Sequence, residues 1–452
     1  MKYLGIKCFG VLDAFFCKKN TILLQNLISK TWLIVFAFLS FNQTKTLQAQ
    51  TTYAFIFEEQ LSAQLGAQNI LAFNRGLIYL DNKYIPTSFF NENRALGKIA
   101  GISYRASKLF LLHYPISHMM MLYQHEFFGH VARARQIGFG DSRIELNLPP
   151  PFMSGRGVAY WSNNYQSPSE QAALMPYLGG AEANNILAKI SRTQMLQNDY
   201  IHYQEGLLYL YNTMNLPGYV LFSRATNLND IDNYIQRIND LYAPIGKQME
   251  KEQLKIYSWI DWFIDPIFMY SAFAVAKDYL YDGNISGKIW WIPLGPKIQY
   301  LPLFQFELSP YGAELYYENN IKINQQLIIF TVRHADNVLS KSFGVDLESF
   351  NILNYKNKIQ IDARLAFWSQ PQFIIRGVSG PIDADNAFGM GFTTNVHINL
   401  LPANLKDYSV NVFAQLGYKT RGYWPGEILD KTFLWRLGLS YKLKPNSSKN
   451  TP

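Results

Sequence analysis

The stretch Ile359-Gln-Ile-Asp-Ala-Arg-Leu-Ala-Phe367 alternates residue by residue. In an extended chain successive side chains point to opposite faces, so Ile359, Ile361, Ala363, Leu365 and Phe367 fall on one side and Gln360, Asp362 and Arg364 on the other. Within a strand at 356–368, this pattern is repeated by its neighbours. Upstream, 298–308, 313–319, 321–333 and 342–350 read as strands, and downstream 388–400, 408–418 and 432–443 do so. Val410, Val412, Ala414 and Leu416 oppose Asn411 and Gln415, while Phe433, Trp435, Leu437, Leu439 and Tyr441 oppose Arg436, Ser440 and Lys442. Region 291–443 is therefore predicted as an antiparallel, barrel-like β region of about eight strands, with a polar tail at 444–452.

In pattern, though in no motif, these strands resemble the outer-membrane β-barrels of Gram-negative bacteria, two-faced and with aromatics near their ends. The resemblance implies a small membrane barrel with lipid as its partner. A soluble antiparallel sheet or sandwich alternates in the same way and is the alternative. The polar tail after Leu443 departs from such barrels, which commonly finish on an aromatic.

Composition points the same way. Of the 452 residues, 48% are hydrophobic and 15% aromatic, and only 16% are charged, against about 25% in an ordinary soluble domain. The net charge of +8 does not imply nucleic-acid binding: six lysines against Asp13 place +5 of it in residues 1–50, leaving +3 beyond. Those fifty residues read as a signal or targeting segment. Lys30 precedes the short apolar run Trp32–Ser40, and a polar stretch ends at Leu47-Gln-Ala-Gln50. An N-terminal membrane anchor is the alternative. The segment implies export, to the outer membrane or the periplasm. Both cysteines, Cys8 and Cys17, lie within it, so a mature chain has no thiol ligand or nucleophile and any metal must be held by His and carboxylate.

Residues 51–290 read as mostly helical. Within them Tyr123-Gln-His-Glu-Phe-Phe-Gly-His-Val-Ala-Arg-Ala-Arg135 lies on an apolar helix predicted from Ile116 to about Gln136, started by Pro115 and closed by Gly138-Phe-Gly140. In zincins two histidines four apart share one helical face and grip zinc, while a glutamate between them activates water. Here His125 and His130 are five apart, about 140° round a regular helix. They can share a metal only if the helix absorbs one residue, as a π-bulge does, so a bulge is predicted at Phe127–Gly129. Arg143–Leu148 and Val158–Trp161 read as strands beside this helix. A helix capped by Ser167 is predicted to break at Gly179-Gly180, and a second follows through Ala181–Ala188.

The run His125-Glu-Phe-Phe-Gly-His130 resembles the zinc helix of dipeptidyl peptidase III, whose motif is also His-Glu-x-x-Gly-His. The resemblance implies a third ligand from a glutamate on a later helix, and Glu182, 52 residues after His130, stands in that place. It covers these two short segments alone. Chain length, signal and β-rich end all depart from that family, so a gluzincin-like site on another scaffold is what it implies.

The expectation is thus an α+β protein, an exported and membrane-associated metallohydrolase acting on a peptide or protein. His125, His130 and Glu182 would hold Zn2+ and Glu126 would be the general base. His202 and Tyr177 are candidate oxyanion donors, and His118 is a candidate ligand or support. The competing class is a non-enzymatic barrel or assembly protein in which the His-Glu helix is structural, with Glu126 paired to Arg133 or Arg135. A metal-binding or transport protein without hydrolysis is a third.

Overall fold

The computed structural model describes residues 53–443 apart from 163–167, 224–228, 325, 337–340, 356–357, 378–384 and 401–407. The signal segment, the polar tail and the Ser167 cap lie outside the described residues.

The chain opens with β1 (Tyr53–Phe57) and α1 (Ala63–Tyr84), capped by the Ser62 hydroxyl on Leu65 N. Next comes one unbroken helical path. It consists of α2 (Ala95–Lys108), a π-turn at Leu109–His113, α3 (Tyr114–His125), a second π-turn at Glu126–Val131 and α4 (Ala132–Gln136). Pro115 does not start a fresh helix. Its missing N–H falls just after the first π-turn, where the wider ring relieves the clash with the preceding turn. The hairpin β2 (Ser142–Leu146) and β3 (Gly157–Trp161) follows.

After the short α5 (Glu170–Ala173), whose cap is Ser169, α6 (Met175–Asn198) runs straight through Gly179 and Gly180. The predicted break there is absent because both glycines are helix-packing positions. A Cβ on Gly129 would lie 2.6 Å from Gly179 O and 2.7 Å from Gly180 Cα. Two helices cross where only glycine lets the backbones touch. Next come β4 (Tyr200–His202), α7 (Tyr203–Thr213), α8 (Asn215–Phe222), α9 (Asp230–Tyr242), α10 (Lys251–Ile264) and α11 (Pro266–Phe273). Asp265 caps α11 through Ile267 N at 2.8 Å. A further π-helical segment, Ala274–Asp282, and the strand β5 (Ser286–Lys288) lead into the sheet.

The remaining strands are β6 (Ile292–Gly295), β7 (Ile298–Ser309), β8 (Gly312–Ile323), β9 (Gln326–Asp336), β10 (Lys341–Tyr355), β11 (Ile359–Pro371), β12 (Asn386–Asn399), β13 (Tyr408–Lys419) and β14 (Thr432–Leu443). All eight predicted strands are present, with boundaries moved: β10 runs on to Tyr355, β11 spans Ile359–Pro371, and the turn between β8 and β9 is shifted. The turn lies at Asn324, which has a φ of 55°, while Asn319 and Asn320 sit inside β8 and Asn320 Nδ2 donates to Leu301 O at 3.1 Å. The sheet has ten strands, since β1 pairs with β14 and β6 with β7.

The sheet is antiparallel and open, not the expected barrel: among the described residues β1 and β6 do not pair with one another. Pro293 removes a donor from β6, whose register slips between Pro293 and Gly295, which suits it to an edge. The fold is α+β. Among the described residues no helix is long and apolar enough to cross a membrane.

The strands bury a largely polar side, joined by Leu301, Leu303, Leu327 and Ile329 of β7 and β9. Arg333 and Arg364 meet Asp346 at 3.0 and 3.1 Å, and Arg436 meets Glu427 at 2.7 Å. Helix α6 packs on this side. Arg192 of α6 pairs with Glu318 at 2.8 Å, and Lys322 donates to the Leu196 and Gln197 carbonyls, a cation where a helix C-terminus favours one. From β12 to β14 the apolar side faces out, with Leu416 65% and Phe433 77% exposed, while Phe306, Leu308 and Ala313 of β7 and β8 are buried. One cluster fixes the motif helix over this assembly: Ala54 and Ile56 of β1, Leu65 of α1, Phe413 of β13, and Phe128 of the second π-turn.

Candidate metal centre

The second π-turn falls where the spacing of the histidines requires it. One extra residue per turn brings His130 back toward the face of His125, and their ring centroids lie 4.7 Å apart. His125, Glu126 and His130 are all buried, and each offers a ligand atom within 4.8 Å of the others.

Each ring is aimed by its other nitrogen. His130 Nδ1 donates to Pro176 O at 2.5 Å, which turns its Nε2 inward. Asn184 Nδ2 lies 3.1 Å from His125 Nδ1, and its Oδ1 is buried without a partner; exchanging the amide's nitrogen and oxygen satisfies both groups. With that oxygen accepting Nδ1–H, the lone pair of His125 Nε2 faces the site. Gly180, one turn before Asn184, leaves the space for both: a Cβ there would fall 2.5 Å from His125 Nε2 and 2.6 Å from His130 Nε2.

The third group is Asp230, which opens α9. Its Oδ2 is 3.1 Å from His125 Nε2 and 3.3 Å from His130 Nε2. Ligand atoms of a tetrahedral ion with bonds of about 2.0–2.1 Å are separated by roughly 3.3 Å, so these three atoms stand as a ligand set would. Asp230 is backed by the positive end of its helix, which favours a carboxylate, and Asn229 caps that end through Asp232 N at 2.8 Å. Burial opposes charge on the His130 imidazole, but the Asp230 and Glu126 carboxylates and the Pro176 carbonyl together outweigh it and lift the pKa to about 9. Burial likewise acts to raise Asp230, and the facing histidines overcome it and hold the carboxyl well below its usual range. The Asp230 side chain is a quarter exposed, so the site opens on its side.

Glu182 does not join this group. Both its oxygens are held by Arg133, with Nε at 2.8 Å from Oε2, and Oε1 also accepts from Gly426 N. The reason is angular: Gly180 and Asn184 share one face of α6, and Glu182 lies about 200° round from Gly180. Arg133 is thereby committed to Glu182, not to Glu126. His118 binds the Gly155 carbonyl at 3.0 Å and ties down the loop before β3. His202 caps α7 through Gln204 N and contacts Asn82, away from the site. Tyr177 packs edge-on to Trp161 under Arg237.

Three residues were not found from the sequence. Asp230 lies 100 positions past His130 with no spacing rule to mark it. The signals that remained were a cap, Asn229, and an acid in a first helical turn. Asn184 carries no ligand signal of its own beside Glu182. Tyr219 stacks on His125 at 6.1 Å between centroids, and burial, with the Asp230 and Glu126 carboxylates, pushes its phenol up so that it stays an O–H donor. With Trp161, which stacks on His130 at 6.2 Å, it walls the site. Strand β3 passes beside Glu126: a Cβ on Gly157 would lie 2.5 Å from Glu126 Oε1.

No family model, curated protein or solved structure matches the chain. The residues present can hold a metal ion through two imidazoles and a carboxylate.

Proposed function

We propose that the protein is an exported, membrane-associated zinc hydrolase that cleaves peptide bonds, with His125, His130 and Asp230 as ligands and Glu126 as general base. The observation that carries this reading is the convergence of two imidazole Nε2 atoms on one Asp230 oxygen at 3.1 and 3.3 Å, with Glu126 beside them. Two nitrogens and one carboxylate, with no thiolate, form a common donor set for catalytic zinc with a fourth position open. Bound there, the metal would lower the pKa of a water and polarise a carbonyl. Glu126 takes the proton from the attacking water and returns it to the leaving amine. The Tyr219 hydroxyl donates toward the charge that develops on the carbonyl oxygen.

A peptide substrate is favoured by β3. One of its edges pairs with β2 and the other has no partner strand among the described residues, so an extended peptide can add there beside Glu126. A membrane setting is favoured by the sheet, which covers its charges and presents Phe388, Leu416 and Phe433 outward. A soluble sheet does the reverse. An open sheet edge is not tolerated in lipid; α1 packs on β1 at one edge, and a further chain would have to cover the exposed strand β6 at the other.

The test is metal content and hydrolysis measured together. Purified protein should carry about one zinc per chain, His130→Ala should lose it, and Glu126→Gln should keep it while peptide hydrolysis disappears. Full zinc occupancy in His130→Ala, or undiminished hydrolysis by Glu126→Gln, would refute the assignment.

A further inference from the structure

The wall of the metal centre continues outward as a ladder of rings. Trp161, the last residue of β3, stacks on His130 at 6.2 Å between centroids and meets Tyr177 edge-on at 5.8 Å. The Arg237 guanidinium lies over the Tyr177 ring, 4.5 Å from its centroid. Arg237 stands on α9, seven residues after Asp230. Seven residues are almost two full turns, so both side chains leave the same face of the helix, about 10.5 Å apart along its axis. The site opens on the side of Asp230, whose side chain is a quarter exposed. Arg133, Arg192, Arg333 and Arg436 are each buried against a carboxylate. Arg237 is exposed, and among the described residues no carboxylate lies within ion-pair distance of it. A guanidinium stacked on a ring keeps its N–H donors at its edge, where a carboxylate can take two of them.

We propose that Arg237 receives a carboxylate of the bound peptide and so sets the specificity of the site, a step that rests on the peptidase reading above. The helix sets the position. An extended peptide advances about 3.3 Å per residue, so the axial rise from Asp230 to Arg237 corresponds to about three residues from the bond that is cut. The free edge of β3 supplies the track. Gly157 lies against Glu126 and Trp161 against His130, so a peptide paired to that edge passes the histidines and meets the rings that lead to Arg237. The carboxylate is that of an acidic side chain or of the peptide's own C-terminus, and the chemistry at Arg237 is the same.

Binding is measured apart from turnover. The probes are fluorescein-labelled octapeptides of alanine and threonine with one Glu, or one Gln, at each position in turn, made as C-terminal amides and as free acids. They are titrated by fluorescence anisotropy into the full, metal-depleted chain. At the favoured position the carboxylate should tighten binding about fivefold over its neutral counterpart, the scale of an exposed ion pair. Arg237→Gln should erase the difference, and Arg237→Glu should reverse it in favour of Lys probes; the side chain is exposed, so both variants keep the fold. Arg156, the exposed arginine just before β3, is the control. With zinc restored, kcat/KM should show the same preference. A gain by Glu amides identifies an acidic side chain as the partner, and a gain by free acids alone identifies the C-terminus. Equal affinities in the wild type, a preference that survives Arg237→Gln, or one lost in Arg156→Gln instead overturns the proposal. An Arg237-dependent preference in binding, without any peptide hydrolysis by the zinc-loaded protein, upholds the carboxylate site and refutes the peptidase reading.

Discussion

Gly180 faces His130 across a gap that admits no side chain: a Cβ on Gly180 would lie 2.6 Å from His130 Nε2 and 2.5 Å from His125 Nε2. Ordinarily glycine inside a helix costs about 0.5–1 kcal/mol relative to alanine. Gly180→Ala should therefore reveal whether the space matters. The expected outcome is a metal affinity lowered on the order of a hundredfold, because both ligand rings must move, with the helical signal retained. Competition against a chromogenic chelator measures it. Wild-type affinity in a variant that also melts higher would show that the gap serves packing alone.

Asp230 and Glu182 part company by the same assay. Asp230→Asn removes the carboxylate proposed as a ligand and should cost on the order of a hundredfold or more in metal affinity. Glu182→Gln should leave metal binding largely intact. It strands Arg133, which is buried against Glu182, and breaking such a pair costs about 3–5 kcal/mol. Metal titrations on the two variants should thus diverge, and equal losses of affinity would dissolve the distinction between proposed ligand and strut.

The contrast also marks how far the sequence could be read. The five-residue spacing of His125 and His130 demands a π-turn if the two are to share a metal, and the turn is present at Glu126–Val131. Strand alternation from Ile298 to Leu443 was legible because its period is a local property. The ends of the sheet were not, since β1 joins β14 from almost the full length of the chain away, a non-local pairing that no window of residues encodes. Glu182 was chosen by its distance along the chain, whereas position round the helix selects Gly180 and Asn184. The glycine pair 179–180, read as a break, is a crossing point with Gly129, which only the partner helix reveals.

The outward apolar side of the sheet makes a membrane prediction. Leu416 projects outward from β13, three residues before its end at Lys419, with 65% exposure. In water Leu416→Arg should change stability by no more than about 0.5 kcal/mol. In a bilayer, an arginine on the lipid face costs about 2–4 kcal/mol near the midplane. Folding titrations in phospholipid vesicles should show the larger penalty, and membrane fractionation should show impaired assembly. A freely soluble mature wild type, with Leu416→Arg neutral, would place the sheet in water.

His113 supplies a pH dependence with a defined sign. Its Nε2 lies 3.0 Å from Tyr203 OH and its Nδ1 accepts from Gln204 Nε2 at 2.9 Å. Tyr203 O–H in turn donates to Asp81, so the chain of bonds is complete with a neutral imidazole. Burial lowers its pKa to about 4, with Asp81 opposing and nearby Lys108 assisting. The unfolded chain takes up a proton near the ordinary value of about 6.5. Between these two values the unfolded state binds more protons, so stability is fully present above about 6.5 and is lost as the pH falls toward 4. The span corresponds to at most on the order of 3 kcal/mol. His113→Asn keeps a polar group but cannot titrate. Measured as a difference between wild type and variant, which cancels the carboxylates common to both, the gap in unfolding free energy should shift by up to that amount over this window and stay flat above pH about 7. A gap that is constant from pH 7 to 4 would mean that His113 is protonated in the folded protein.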